Sequence, residues 1–143
     1  MRKRTLVIFA AVLMLAAAAC GSGTGAASSP PATKSASLRP SSTGKLSILQ
    51  PANGHVVHGT STPVHVRLTG ASIVPMTTTN LRPDQGHLHV ILDDKLISMT
   101  SGTTTSLTGL TPGTHLLKVE FVASDHAPFD PRVIAAVSFK VSP

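Results

Sequence analysis

The sequence predicts an all-β protein whose folded part is a sandwich of two sheets. Apolar residues alternate with polar ones, as at Val64, Val66 and Leu68, which is the period of a strand with one buried face. Turn-forming residues, such as the pair Asp93 and Asp94, separate these alternating segments. No segment past residue 45 carries a sustained apolar stripe at the helical period of about 3.6 residues. Together these observations favour strands throughout.

Each expected strand is predicted by alternation or by β-branched residues. We expect seven or so strands, joined by short turns. The two longest are expected at 114–122 and 133–141, and the Thr-rich segment 103–107 has the composition of an edge strand. In chain order the expected segments are 46–49, 56–57, 64–69, 87–92, 95–97, 103–107, 114–122 and 133–141.

One turn indicates which kind of sandwich this is. Residues 110–115, Leu-Thr-Pro-Gly-Thr-His, lead into the alternating residues Leu117, Val119 and Phe121. This turn resembles the corner before the penultimate strand of immunoglobulin-like and fibronectin-type domains, where a Tyr commonly stands in the place of His115. The resemblance implies an immunoglobulin-like β-sandwich over residues 45–143, with His115 as a structural corner residue bonded to backbone.

The N-terminal segment is typical of an export signal. Three basic residues precede fourteen unbroken apolar residues, 6–19, too few for a membrane-spanning helix of about 20. Cys20, the only cysteine, follows directly. This resembles the lipobox of bacterial lipoproteins, although Ala17 stands where that family usually has Leu. The resemblance implies a signal peptide at 1–19, lipid on Cys20, and a place on the extracytoplasmic face of the cell membrane. Ordinary signal cleavage before Cys20 is the alternative.

A tether is expected between the anchor and the domain. Residues 20–44 are rich in Gly, Ser, Thr, Ala and Pro and cannot bury enough apolar surface to offset the entropy of ordering them. Without the signal peptide the chain has nine Lys and Arg against six Asp and Glu, scattered singly. A nucleic-acid partner is not expected, because basic runs with interleaved aromatic residues are missing.

Three histidine motifs mark the folded part. They are Gly-His-Leu-His at 86–89, Pro-Gly-Thr-His at 112–115 and Asp-His-Ala-Pro at 125–128. In this order they resemble an exported bacterial family whose activity is uncharacterised. The resemblance implies a common fold and common histidines, and it implies no activity.

The histidines also suggest a site. His87 and His89 lie two residues apart on a strand, so their side chains share one face. In an immunoglobulin-like sandwich the neighbouring antiparallel strand would bring Glu120 and His126 beside them. Three imidazoles and a carboxylate suit zinc or copper(II). The alternative is structural: the rings are solvated or hydrogen-bonded across strands, and His126 shapes its loop.

Two functions therefore remain open. The first is a lipid-anchored module that contacts an envelope protein or polymer, with the edge at 103–107 able to add a partner's strand. The second is a lipoprotein that binds copper or zinc through its histidines. Catalysis is not expected, because the sequence has no Gly-x-Ser-x-Gly motif before a helix.

Overall fold

The computed structural model describes residues 39–142. Within this range it contains nine strands and no helix, which confirms the all-β prediction. None of its segments is therefore a helix that could cross a membrane. The predicted signal peptide, the predicted lipidation site Cys20 and most of the predicted tether lie outside the described residues. The strands are β1 (Lys45–Gln50), β2 (Val56–His58), β3 (Ser61–Thr69), β4 (Ser72–Ile73), β5 (Gln85–Leu92), β6 (Lys95–Thr100), β7 (Thr104–Thr108), β8 (Gly113–Ala123) and β9 (Pro128–Ser142).

The strands form two sheets, as expected of an immunoglobulin-like sandwich. The smaller sheet has the order β1-β3-β7, so β7 is the edge strand that its threonines predicted. The larger has the order β2-β9-β8-β5-β4, and β6 also pairs with β5. Eight of the nine strands match the eight expected segments, and the additional strand, β4, spans two residues, too few to show an alternation.

The core lies between the inward faces of the two sheets. Val64 and Leu107 of the smaller sheet join Leu88, Leu117 and Phe121 of the larger in one cluster, and each is at most 1% exposed. Burial of such a side chain is worth about 1.5–3 kcal/mol relative to exposure. Val and Leu thus supply most of the core, and Phe121, Phe129 and Phe139 are buried with them.

Residues 39–44 are ordered against the domain, which corrects the expected tether of 20–44 at its C-terminal end. The Pro40 carbonyl accepts a hydrogen bond from the Asp130 amide at 3.0 Å. The Thr43 hydroxyl donates to the Gly70 carbonyl at 2.6 Å. Composition places this boundary wrongly because it predicts order from apolar residues, whereas hydrogen bonds hold residues 39–44 against the domain. The folded domain thus includes Arg39.

Strands β5 and β8 position the candidate site. They are antiparallel neighbours, with Gly86 opposite Ala123 and His89 opposite Glu120, so the start of β5 lies beside the end of β8 as predicted. The two backbones approach so closely at Gly86 that an added Cβ would lie 1.9 Å from the Val122 carbonyl oxygen. This explains the glycine of the Gly-His-Leu-His motif.

The predicted hairpin between β5 and β6 is confirmed. Its two central residues, Asp93 and Asp94, have φ angles of 48° and 64°. Positive φ at both positions defines a type I′ turn, whose twist matches that of the flanking strands. The turn folds β6 back so that it pairs with the edge of β5 opposite β8, beside the histidines.

Candidate functional site

Strand β5 and the loop between β8 and β9 bring three histidines together. The rings of His87 and His126 stack with their centroids 4.2 Å apart and their planes 7° from parallel. The centroids of His89 and His126 are 5.7 Å apart. The distance between His89 Nε2 and His126 Nδ1 is 3.4 Å. The predicted proximity of these residues is therefore confirmed, and we call His87, His89 and His126 the histidine cluster.

His126 reaches β5 because its loop makes a tight turn. Its amide donates to the Ala123 carbonyl at 2.9 Å, and the Ala123 amide donates to the Ala127 carbonyl at 3.0 Å. The φ angle of His126 is 63°, a left-handed conformation that costs a residue with a side chain about 1–2 kcal/mol. Such strain persists only where the surroundings hold it.

Arg39 is the residue that holds this loop. Its guanidinium donates to both Asp125 carboxylate oxygens, at 2.6 and 2.9 Å. It also donates to the carbonyls of Ala127 at 2.9 Å and Pro128 at 2.8 Å. The hydrogen bond from Arg39 is the main cause that lowers the pKa of Asp125. Sequence reasoning missed Arg39 because it lies in the segment assigned to the tether.

Each of the three rings has a polar or charged neighbour. The distance from His126 Nε2 to Thr77 Oγ1 is 3.1 Å, and a proton on that nitrogen leaves Nδ1 with its lone pair toward His89. His87 is 5% exposed, and its Nε2 lies 3.4 Å from the Ser124 carbonyl oxygen. Burial, and then the charge of His126, lower the pKa of His89. A neutral His89 ring is the form that can bind a metal ion.

Glu120 lies opposite His89, as predicted, but it is not a free ligand. Arg132 donates to both of its carboxylate oxygens, at 2.7 and 2.6 Å, and Glu120 is 3% exposed although its strand position faces outward. Arg132 reaches it because Glu120 pairs with Ile134, which makes Arg132 a diagonal cross-strand neighbour. Within residues 39–142 no group of three or more His, Asp or Glu side chains is arranged to hold a metal ion. Metal binding by the cluster stays a prediction.

His115 lies apart from the cluster and serves the fold. Its Nε2 donates to the Thr111 carbonyl at 2.8 Å, the backbone bond expected of a corner residue. Its Nδ1 donates to the Asp93 carboxylate at 2.7 Å. The bond to Thr111, and then that to Asp93, raise the pKa of His115. The ring thus ties the corner before β8 to the β5–β6 hairpin.

A cavity of about 210 Å³ opens beside the cluster. Its lining includes His87 and His126 together with Met99 of β6, which is 58% exposed. Met99 pairs with His89 across the strands, so both side chains stand on the outer face of the larger sheet. Sequence reasoning did not single out Met99 or Thr77. The remaining lining residues are Pro75, Thr100 and Ser101.

Comparisons with known proteins give a family and several structures of similar shape. A family model described as a family of unknown function (DUF6130) matches residues 1–142. No curated protein matches the sequence. The fibronectin(III)-like modules of CbhA from Clostridium thermocellum are 20% identical, with 67% of this chain and 93% of that chain covered at a TM-score of 0.47. A human PKD domain is 14% identical, with 78% and 91% covered at 0.43. A CARDB domain from Pyrococcus furiosus is 16% identical, with 71% and 96% covered at 0.44.

Proposed function

Since this chain belongs to the DUF6130 family of unknown function, we propose from its geometry that it is a membrane-anchored extracytoplasmic module that binds a transition-metal ion. The ion would be held by the histidine cluster on the outer face of the larger sheet, at β5. The anchor would be lipid on Cys20. The two parts of the proposal rest on different observations and have separate tests.

The observation that carries metal binding is the 3.4 Å between His89 Nε2 and His126 Nδ1. Two imidazole nitrogens bound at 2.0–2.1 Å to one tetrahedral ion lie about 3.3–3.4 Å apart. A hydrogen bond between them would be long, since N–H donors usually lie about 2.7–3.2 Å from their acceptors. The pair is therefore spaced as two ligands of one ion would be.

The surroundings of His126 support the same role. Ligating histidines usually donate their second ring N–H to a neighbouring oxygen, which fixes the tautomer and the ring orientation. Thr77 Oγ1 is placed for this at 3.1 Å from His126 Nε2. His87 would become a third ligand when its ring turns out of the stack with His126. The cavity beside both rings gives that motion room.

Calorimetric titration of the full chain, purified in detergent, with Zn²⁺ and Cu²⁺ tests metal binding. We expect one ion per chain, with binding lost in the double variant His87→Ala/His89→Ala. His55→Ala is the matched control, because His55 is exposed and outside the cluster. Equal affinity in the native chain and the double variant would rule out the cluster as the site.

The anchor is supported by the signal-like segment and by the position of Cys20 directly after it. Expression in a bacterial host with labelled palmitate should give a labelled protein in the membrane fraction. Cys20→Ser should remove the label and release the protein from the membrane. A native chain without label would instead favour ordinary signal cleavage.

A second candidate function, a protein-contact module, is favoured by the outer face of the larger sheet. Leu96, Leu116 and Ile134 are 47%, 38% and 42% exposed on that face, and a partner that covered the face would bury all three. A photo-crosslinking residue in place of Leu116 should then give one discrete adduct in the bacterial envelope. The same residue in place of the exposed Arg67, on the other sheet, should give none. The candidate is abandoned if the two positions behave alike.

A further inference from the structure

Met99 is a second kind of donor beside the histidine cluster. It pairs with His89 in the β5–β6 register and shares a cavity wall with His87 and His126. Methionine is usually buried in a core, yet 58% of Met99 is exposed. Its long unbranched side chain can move its sulfur across a short distance at little cost.

The chemistry of this donor set is selective. Thioether sulfur is a soft ligand that favours copper(I), whereas imidazole binds zinc and copper in either oxidation state. Oxygen donors would favour harder ions, but the nearest carboxylate, Glu120, is bound by Arg132 through both of its oxygens. Copper(I) also accepts a low coordination number. The described residues offer no set of three or more convergent His, Asp or Glu side chains, so a site that needs few ligands fits them best.

We propose that the ion bound at the histidine cluster is copper(I) and that the Met99 thioether is one of its ligands. The proposal rests on the function proposed above and specifies its metal. His89 and His126 supply the nitrogen pair, and Met99 closes the site from β6 in place of the third ligand assigned above to His87. Binding involves no change of oxidation state, because the ion arrives and leaves as copper(I).

The test uses the full chain under anaerobic conditions, with ascorbate to keep copper reduced and bicinchoninate as the competing chromophoric ligand. Met99→Leu removes the sulfur and keeps volume and apolar character, so the fold is expected to persist. Met76→Leu is the matched control, because Met76 is 72% exposed and does not line the cavity. Copper K-edge absorption reports on sulfur in the coordination shell. Zn²⁺ affinity is measured on the same three proteins.

We expect Met99→Leu to weaken copper(I) binding by at least the roughly tenfold that loss of a group supporting a ligand costs. It should also remove the sulfur shell and leave Zn²⁺ affinity nearly unchanged. Met76→Leu should bind as the native chain does. Copper(I) affinity and a sulfur shell that survive Met99→Leu would overturn the role of Met99. Binding of Zn²⁺ without copper(I) would overturn the choice of metal alone. A native chain that binds neither ion would overturn the proposed function as well.

Discussion

Gly86→Ala should strongly destabilise the protein, because the new methyl group has nowhere to go. It would lie 1.9 Å from the Val122 carbonyl oxygen and 3.0 Å from Phe121 Cε2. Carbon and oxygen atoms in close contact between strands are usually about 3.3–3.6 Å apart. The nearer obstacle is backbone, which cannot rotate aside as a side chain can. Strands β5 and β8 must therefore separate by more than an ångström.

The size of the effect follows from what that separation disrupts. Overpacking of a tight interior costs about 1–3 kcal/mol, and each strained ladder hydrogen bond adds about 0.5–1.5 kcal/mol. We expect the free energy of unfolding to fall by about 3 kcal/mol. For a domain of this size that lowers Tm by roughly 12–24 °C. The neighbouring His87 would be displaced as well, so metal binding should weaken with stability.

Urea denaturation followed by far-UV circular dichroism measures this loss, since the chain has no Trp or Tyr for fluorescence. Gly102→Ala is the matched control, because an added Cβ there meets nothing closer than 3.8 Å. Its free energy of unfolding should stay within about 0.5 kcal/mol of the native value. The reasoning is refuted if the two variants unfold at the same urea concentration.

Three further predictions concern the polar groups around the site. Arg132→Ala leaves the buried Glu120 carboxylate unpaired and should lower the free energy of unfolding by about 2 kcal/mol. The loss is smaller than for a fully buried ion pair because the Arg132 side chain is 58% exposed. Urea denaturation should show that adding Glu120→Gln recovers part of this loss. His115 has a raised pKa and Asp93 a lowered one, so the stabilisation from His115 is complete below its unfolded pKa of about 6.5 and is lost as pH rises through its folded pKa. Thermal melts should therefore show that His115→Gln costs more stability near pH 6 than at alkaline pH. An equal cost at both pH values would contradict the raised pKa of His115. His126→Asn places a residue that tolerates positive φ at this position, so the variant should melt within about 5 °C of the native chain. Calorimetric titration should show that it no longer binds the metal ion. Unchanged binding would remove His126 from the proposed site.

Much of the fold could be predicted because alternation and turn chemistry are local signals. The Asp93–Asp94 turn, the two longest strands and the edge at β7 all appear where their residues indicated. Residues 39–44 were misassigned because partners far away in the chain hold them in place. One of these is Pro83, whose carbonyl accepts a hydrogen bond from the Thr43 amide. No local pattern carries that information.

The site was predictable only in part, for a related reason. His87 and His126 could be placed together because neighbouring antiparallel strands have a definite direction. Met99 could not, because a register counted back from the Asp93–Asp94 turn pairs it with Leu88, on the core side. A bulge between Val90 and Ile91 shifts the ladder by one residue and moves Met99 to the face of His89. Such a shift turns a side chain to the other face of the sheet, and the alternation of residues along β5 and β6 does not reveal it.

Arg39 gives the N-terminal segment an unexpected importance. A chain truncated at Lys45, the boundary that composition suggests, would keep all nine strands and should unfold almost normally. It would lack the four hydrogen bonds that hold the loop from Asp125 to Pro128, and the strained His126 would be free to relax. We therefore expect a fragment that folds without residues 39–44 to bind the proposed metal ion more weakly than the longer domain does, because nothing would hold His126 in place.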